Sequence, residues 1–206
     1  MSASAAQRVT EVVRGSAQPL LLAIVTLFAS QWFTPVKAGL LRHIITTPQQ
    51  TIRKVAMDLV HEMTYHAMLR PPLAIGAGPN GTRMVFDVIG GVFEGTRLRG
   101  KWVGAGADWL LVGPDGFGRL DVRGQIETDD GAFIYLQYDG LIQMNEKVQA
   151  AMDSASATEF SDQYFRIAPR FETGDPRYVW LNKSTFIAEG RLYPGFGVEY
   201  RVFRVV

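Results

Sequence analysis

FGRLDVRGQIETDDGAFIYLQYDGLIQ, residues 117–143, contains two alternating runs joined by Asp129-Asp130-Gly131. In the first run Asp121, Arg123, Gln125 and Glu127 project to one side while Val122 and Ile126 project to the other, the period of two that belongs to a strand. In the second, Phe133, Tyr135 and Gln137 oppose Ile134, Leu136 and Tyr138. A glycine behind two aspartates supplies the positive φ of a tight connection, so the pair reads as an antiparallel hairpin.

The same punctuation extends in both directions. Runs over 57–69, 83–89, 97–103, 108–112, 117–127, 132–143, 163–171, 178–189 and 196–205 are separated by turn chemistry: Gly78-Pro79-Asn80-Gly81, Gly90-Gly91, Gly104-Ala105-Gly106, Pro114-Asp115-Gly116 and Pro194-Gly195. The clear helical segment is Glu146 to Met152, extendable through Ser/Ala-rich sequence to Ala157, and it is too short to cover a parallel sheet. The expected fold is therefore all-β: residues 56–206 as a single closed antiparallel β-barrel of eight or nine strands with one short helix. Closure disposes of the exposed edges that so many short strands would leave. A two-sheet sandwich satisfies the same periodicity.

Residues 1–55 read as an N-terminal apolar or helical extension. Residues 17–33, AQPLLLAIVTLFASQWF, lie at the lower length limit for crossing a bilayer, with Arg8 and Arg14 before them and Lys37 and Arg42 after. The tighter run Leu20–Ala29 suits the centre of a signal peptide, and Val36-Lys37-Ala38 before Gly39 has the small-residue pattern of a cleavage site. Three readings stand: a cleavable signal, a membrane anchor contacting lipid through 17–33, or a non-native extension from a misplaced start codon. Secretion or membrane association follows from the first two, and a cytoplasmic protein from the third.

Composition narrows the chemistry. The 206 residues are 47% hydrophobic and 20% charged with a formal net charge of +1, which lacks the basic excess that draws a protein to nucleic acid. There is no cysteine, so disulfides, thiolate metal sites and cysteine nucleophiles are excluded. His61 and His66 stand five apart, out of phase on strand or helix, and with His43 they make a poor zinc set, so no metal is expected. Gly104-Ala105-Gly106 lacks the spacing of a dinucleotide loop, and neither a Walker lysine nor a Gly-x-Ser-x-Gly elbow occurs, so no cofactor is expected.

Two polar constellations remain. Asp121, Arg123 and Gln125 on one strand and Tyr135 and Gln137 on the next would assemble donors and carboxylates beside an aromatic ring if they shared an inner face. Periodicity alone favours a solvated outer face for them. Near the C-terminus, Tyr164, Arg166, Arg170 and Glu172 alternate with Phe165, Ile167, Pro169 and Phe171, and Pro169 implies an edge or a bulge. Trp180 and Asn182 share a face there; they address a ligand, or else Trp180 is core and Asn182 caps a turn.

Gly90-Gly91-Val92-Phe93-Glu94-Gly95, Gly106-Ala107-Asp108-Trp109, Leu120-Asp121-Val122-Arg123, Thr128 to Tyr135, Tyr164-Phe165-Arg166, Pro169 to Thr173 and Trp180-Leu181-Asn182 together resemble the domain of unknown function 3237 family. The resemblance runs from about residue 58 to the C-terminus, whereas residues 1–55 have no counterpart in its usual short members. It implies a small closed antiparallel barrel, often paired into homo-oligomers. It also sets Asp108, Trp109, Asp121, Arg123, Tyr135, Arg166, Glu172, Trp180 and Asn182 on motif positions, which argues for a polar lumen. Val122 and Gly124 depart from the family's commoner residues.

The leading expectation is a cofactor-independent lyase, isomerase or cyclase acting on a small aromatic or polyketide-like acid or phenol. Arg123 or Arg166 would clamp a substrate oxygen, and Asp121 or Glu172 would exchange a proton with carbon. Tyr135 and Asn182 would stabilise an oxyanion, while Trp109 and Trp180 stack on the ring beside Asp108 as a further binding residue. The alternatives are a non-catalytic, lipocalin-like carrier, which gains nothing from buried carboxylates, and a structural oligomerisation domain, which needs no cavity.

Overall fold

The computed structural model describes residues 57–206; the expectations for 1–55, including the segment 17–33, lie outside the described residues. Among those described, no helix is long and apolar enough to cross a membrane. Nine strands follow in order: β1 (Leu59–Leu69), β2 (Leu73–Gly78), β3 (Gly81–Gly95), β4 (Arg99–Val112), β5 (Phe117–Thr128), β6 (Phe133–Gln143), β7 (Phe165–Glu172), β8 (Phe186–Tyr193) and β9 (Gly197–Val205). Helix α1, Glu146–Ser154, lies between β6 and β7. The sheet order β1-β9-β8-β7-β6-β5-β4-β3-β2, with β1 also paired to β3, closes eight antiparallel strands into a barrel and leaves β2 outside the ring. β2 takes over from β1 as the partner of β3 where the β1–β3 register slips at Met68/Leu69.

Differences from the sequence expectation have local causes. Gly90-Gly91 and Gly104-Ala105-Gly106 are not turns: register shifts at Asp87/Val92 and Val103/Ala107 make them irregularities inside long strands, so 97–103 and 108–112 fuse into β4. Glycine in a strand marks a bulge as readily as a turn. The run 178–189 is not one strand either. Residues 178–183 form turns ending in a 3-10 turn at Leu181–Lys183, and β8 begins only at Phe186.

That divergence leaves a seam. β7 and β8 share two paired residues, Arg166↔Glu189 and Ile167↔Ala188, whereas β6 and β7 share eight. Asn182 closes the far end, its side chain accepting the Thr173 N–H at 3.0 Å and donating to the Thr173 carbonyl at 2.8 Å, as a neighbouring strand would. Pro169 has the parity of Thr173, so its missing N–H falls on the side that faces β8 and ends the ladder.

The interior is apolar and aromatic. Along β5, Leu120, Val122 and Ile126 are buried; along β6, Ile134, Leu136 and Tyr138; along β7, Phe165, Ile167 and Phe171. Tyr65 is stacked between Trp102 at 5.9 Å and Tyr200 at 5.8 Å, and Tyr138 meets Tyr200 edge-on at 5.6 Å. Trp102 fits because Gly106 and Gly124 lie beneath it: a Cβ on Gly124 would stand 2.0 Å from Trp102 Cζ2 and one on Gly106 2.4 Å. At one end of the barrel α1, capped by Asn145 accepting the Val148 N–H at 3.0 Å, buries Val148 and Ala151.

The outer wall is pinned at Glu62, 4% exposed, which accepts from Arg97 at 2.6 and 3.0 Å and from Arg204 at 2.7 Å. Arg97 in turn lies 3.5 Å over the Trp180 ring and holds the 173–185 segment to the barrel. Burial pushes the Glu62 carboxyl up, but the two guanidinium groups outweigh it and hold the carboxyl below its ordinary range. The stability this supplies is present above the ordinary carboxylate pKa and is lost as pH falls through the lowered value. Glu62→Ala, which strands two arginines, is expected to cost roughly 3 kcal/mol in urea unfolding at neutral pH, and less in acid.

Candidate functional site

Burial alternates so that the polar side of the hairpin faces out. Asp121 and Arg123 form an ion pair at 3.3 Å with side chains 41% and 47% exposed, and Arg123 stands 5.9 Å over the exposed Trp109. Tyr135 and Gln137 share that outer face, as do Arg166, Arg170 and Glu172 on β7. The expectation that Asp121, Arg123, Tyr135, Arg166 and Glu172 line a polar lumen is therefore corrected. The barrel interior of a chain this size is filled by its apolar set, and one phase of each strand cannot serve both sides.

Arg166 donates to its neighbour's carbonyl, Phe165, at 2.9 Å and pairs with Glu189 at 3.7 Å. Trp180 packs under Arg97 and against Phe186 rather than in the lumen, and Asn182 is the strand substitute at Thr173. Tyr135, Glu172 and Asn182 do come together, with Gln137 and Arg170, around a cleft of about 710 Å³ on the outer wall beside the seam. It is open to water, where charges are screened and paired groups contribute little.

Of the nine expected residues, Asp108 turns inward to a cavity. Asp108 pairs in register with Phe86 on β3 and Val122 on β5, and Val122 pairs with Tyr138 on β6, so Phe86, Asp108, Val122 and Tyr138 form one inward rung across four strands. The β4–β5 ladder lacks pairs at Trp109 and Leu110. Side chains stand in: Asp108 Oδ1 accepts the Asp121 N–H at 3.2 Å, and the Arg83 guanidinium donates to the Trp109 carbonyl. The interruption holds the Asp108 carboxyl in place by one oxygen.

The cavity it lines, of about 60 Å³, sits under α1 among Phe86, Leu110, Leu120, Met144, Met152 and Phe165. Ser156 and Tyr193 are its other polar side chains; Ser156 is exposed and already bonded to Ser154, and Tyr193 is half-buried. No lysine or arginine is among its lining residues. Burial is the main cause that pushes the Asp108 carboxyl up to about 7; the Asp121 N–H opposes it, the Asp121 carboxylate adds to it, and Arg83 opposes it.

Beyond Asp108 lie three tyrosines that periodicity reads as plain core. Burial raises the hydroxyl pKa of Tyr65, Tyr138 and Tyr200, so each stays a proton donor, and the Asp108 charge adds to the shift at Tyr138 and Tyr200. The Tyr65 and Tyr200 hydroxyls and Trp102 Nε1 are enclosed without a hydrogen-bond partner among the described residues. Tyr138, on the apolar side of the hairpin, gives no sequence signal that separates it from Leu136.

The family model described as Protein of unknown function (DUF3237) matches residues 57–205. A UPF0311 protein of Clostridium acetobutylicum is 34% identical over 140 residues, 64% of this chain and 89% of that protein. Among solved structures, a β-barrel-like protein of Acinetobacter baumannii is similar with a TM-score of 0.63 at 30% identity, over 73% of this chain and 97% of the other. An enzyme from Penicillium herquei shares the fold with a TM-score of 0.53 at 19% identity, over 73% of this chain and 94% of its own.

Proposed function

The chain belongs to the DUF3237 family of proteins of unknown function, and from the chemistry of its lumen we propose that it is a cofactor-independent enzyme moving a proton on a small ring-bearing substrate, in the manner of an isomerase or lyase. The observation that carries this is Asp108: one carboxyl, aimed into an apolar cavity, with its pKa brought to about 7. A general acid–base works best when its pKa lies near the working pH, and burial is how proteins bring a carboxyl there. A carrier of apolar ligands gains no binding from such a group, and a carboxyl that burial raises to about 7 costs stability where it ionises. A likeness to a fold neighbour that is an enzyme agrees in architecture alone.

The reading differs from the sequence expectation in the residue that works and in the substrate. Asp108 takes the role expected of Asp121 or Glu172. With Arg123 and Arg166 on the outer wall, no cation clamps a substrate carboxylate, so decarboxylation of an aromatic acid drops behind proton transfer on a phenol or ketone.

Deuterium exchange tests it. Incubation of the protein in D2O with one-ring enolisable ketones and phenols, followed by NMR, is expected to show carbon-bound exchange that rises as pH passes through about 7, where the carboxylate form accumulates. Exchange no faster than buffer across the panel overturns the proposal.

A further inference from the structure

The hydrogen-bond inventory of the cavity limits what can occupy it. Asp108 offers one oxygen, because Oδ1 is engaged by the Asp121 N–H. The rest of the enclosed lining is Phe, Leu, Ile, Val, Met, Ala and Gly, with Ser156 and Tyr193 at its half-buried or exposed rim. A carboxylate ligand would bring a second negative charge into a cavity that holds no cation. An ammonium carries three N–H donors, of which one would find Asp108 and two would be left in apolar surroundings, each costing about 1–3 kcal/mol. A ring with a single hydroxyl or a single carbonyl has one polar group for one free carboxyl oxygen.

Resting on the reading of the lumen as the active site, we propose that the Asp108 cavity selects an uncharged one-ring phenol or cyclic ketone and rejects the carboxylic acid and the amine of the same ring. The two accepted groups ask opposite things of Asp108. A phenol O–H makes its stronger, charge-assisted bond to the carboxylate; a ketone only accepts and needs the carboxylic acid. Asp108, titrating near 7, supplies either one across an ordinary pH range. The groups that face it from the surrounding strands are Arg83 on β3, Asp121 on β5, Tyr138 on β6 and Tyr200 on β9, with Tyr193 of β8 at the rim. Burial holds Tyr138 and Tyr200 protonated, so of these two and Asp108 it is Asp108 that changes charge near neutrality.

The test is calorimetric titration of the full chain with phenol, cyclohexanone, benzoate and cyclohexylamine at about pH 5.5 and about pH 8.5, on either side of the carboxyl's value. Phenol is expected to bind roughly tenfold more tightly at the higher pH and cyclohexanone roughly tenfold more tightly at the lower, with benzoate and cyclohexylamine weaker than both at either pH. In Asp108→Asn, whose side-chain oxygen stays on the Asp121 N–H, the free NH2 donates without titrating, so cyclohexanone is expected to bind with no pH dependence and phenol to lose its gain at the higher pH. Benzoate or cyclohexylamine binding as tightly as phenol, no crossover between phenol and cyclohexanone, or a crossover that survives in Asp108→Asn overturns the proposal. Crossover without carbon-bound deuterium exchange leaves the ligand class standing and removes the reaction; exchange without crossover does the reverse.

Discussion

Asp108→Asn is expected to lower carbon-bound proton exchange by about 10²–10⁴-fold, the range that a positioned general acid–base contributes. The substitution is chosen because asparagine still accepts the Asp121 N–H through its side-chain oxygen, so the repaired gap in the β4–β5 ladder is kept. Activity and fold therefore separate. The native Asp108 holds its proton up to about 7 whereas the unfolded chain loses it near the ordinary carboxylate value, so the folded state binds more protons over that window and stability falls as pH rises through it. The asparagine variant has no such loss. Thermal unfolding at about pH 8 is expected to show it as stable as the parent or more so, by up to a few kcal/mol, even as the exchange rate collapses. A variant that unfolds at lower temperature and keeps its exchange rate would make Asp108 a structural residue and nothing more.

Gly124→Ala is expected to destabilise the folded barrel strongly. Its new methyl would stand 2.0 Å from Trp102 Cζ2, far inside contact distance, and Trp102 is itself wedged against Tyr65 and over Gly106. Inserting one methyl group into a packed interior costs about 1–3 kcal/mol where the neighbours can yield and more where they cannot. An indole stacked on Tyr65 and seated over Gly106 has little room to yield, so the expected loss in urea unfolding is about 3 kcal/mol. The cause is checked in the Trp102→Leu background, where the same Gly124→Ala change is expected to cost less than about 1 kcal/mol, a coupling characteristic of direct contact. Additive losses would show that glycine is needed at 124 for a reason other than the indole.

The barrel was legible from the sequence because period-two alternation and Gly/Asp/Pro punctuation are local signals, repeated in almost every strand from β3 to β9. What local signals could not give is the parity of a glycine pair. Gly90-Gly91 and Gly104-Ala105-Gly106 have turn composition, and only the neighbouring strands decide that they bulge instead. Inside and outside were legible too, since Val122, Ile126, Ile134, Leu136 and Tyr138 fall on the apolar side that the structure buries. The expectation of a polar lumen overrode that alternation and sent Asp121, Arg123 and Tyr135 to the wrong wall. Asp108 is the instructive case. It stands six residues after Trp102 and two before Leu110, both buried, and the slip at Val103/Ala107 adds two residues and so keeps the phase. Alternation within β4 therefore points it inward, and the break of 97–103 from 108–112 at Gly104-Ala105-Gly106 hid that continuity. Asn182 and Trp180, read as strand neighbours, are instead an amide that imitates a backbone and a ring that carries a guanidinium, roles that depend on residues far away in the chain.

A closed cylinder is as strong as its weakest joint. Every other joint of this barrel is stitched by seven or more residue pairs, while β7 and β8 are stitched by two and a single asparagine amide. Pulled or heated, such a tube is expected to part lengthwise between β7 and β8 and to open as one sheet with those two strands as its margins, each still fastened to its other neighbour.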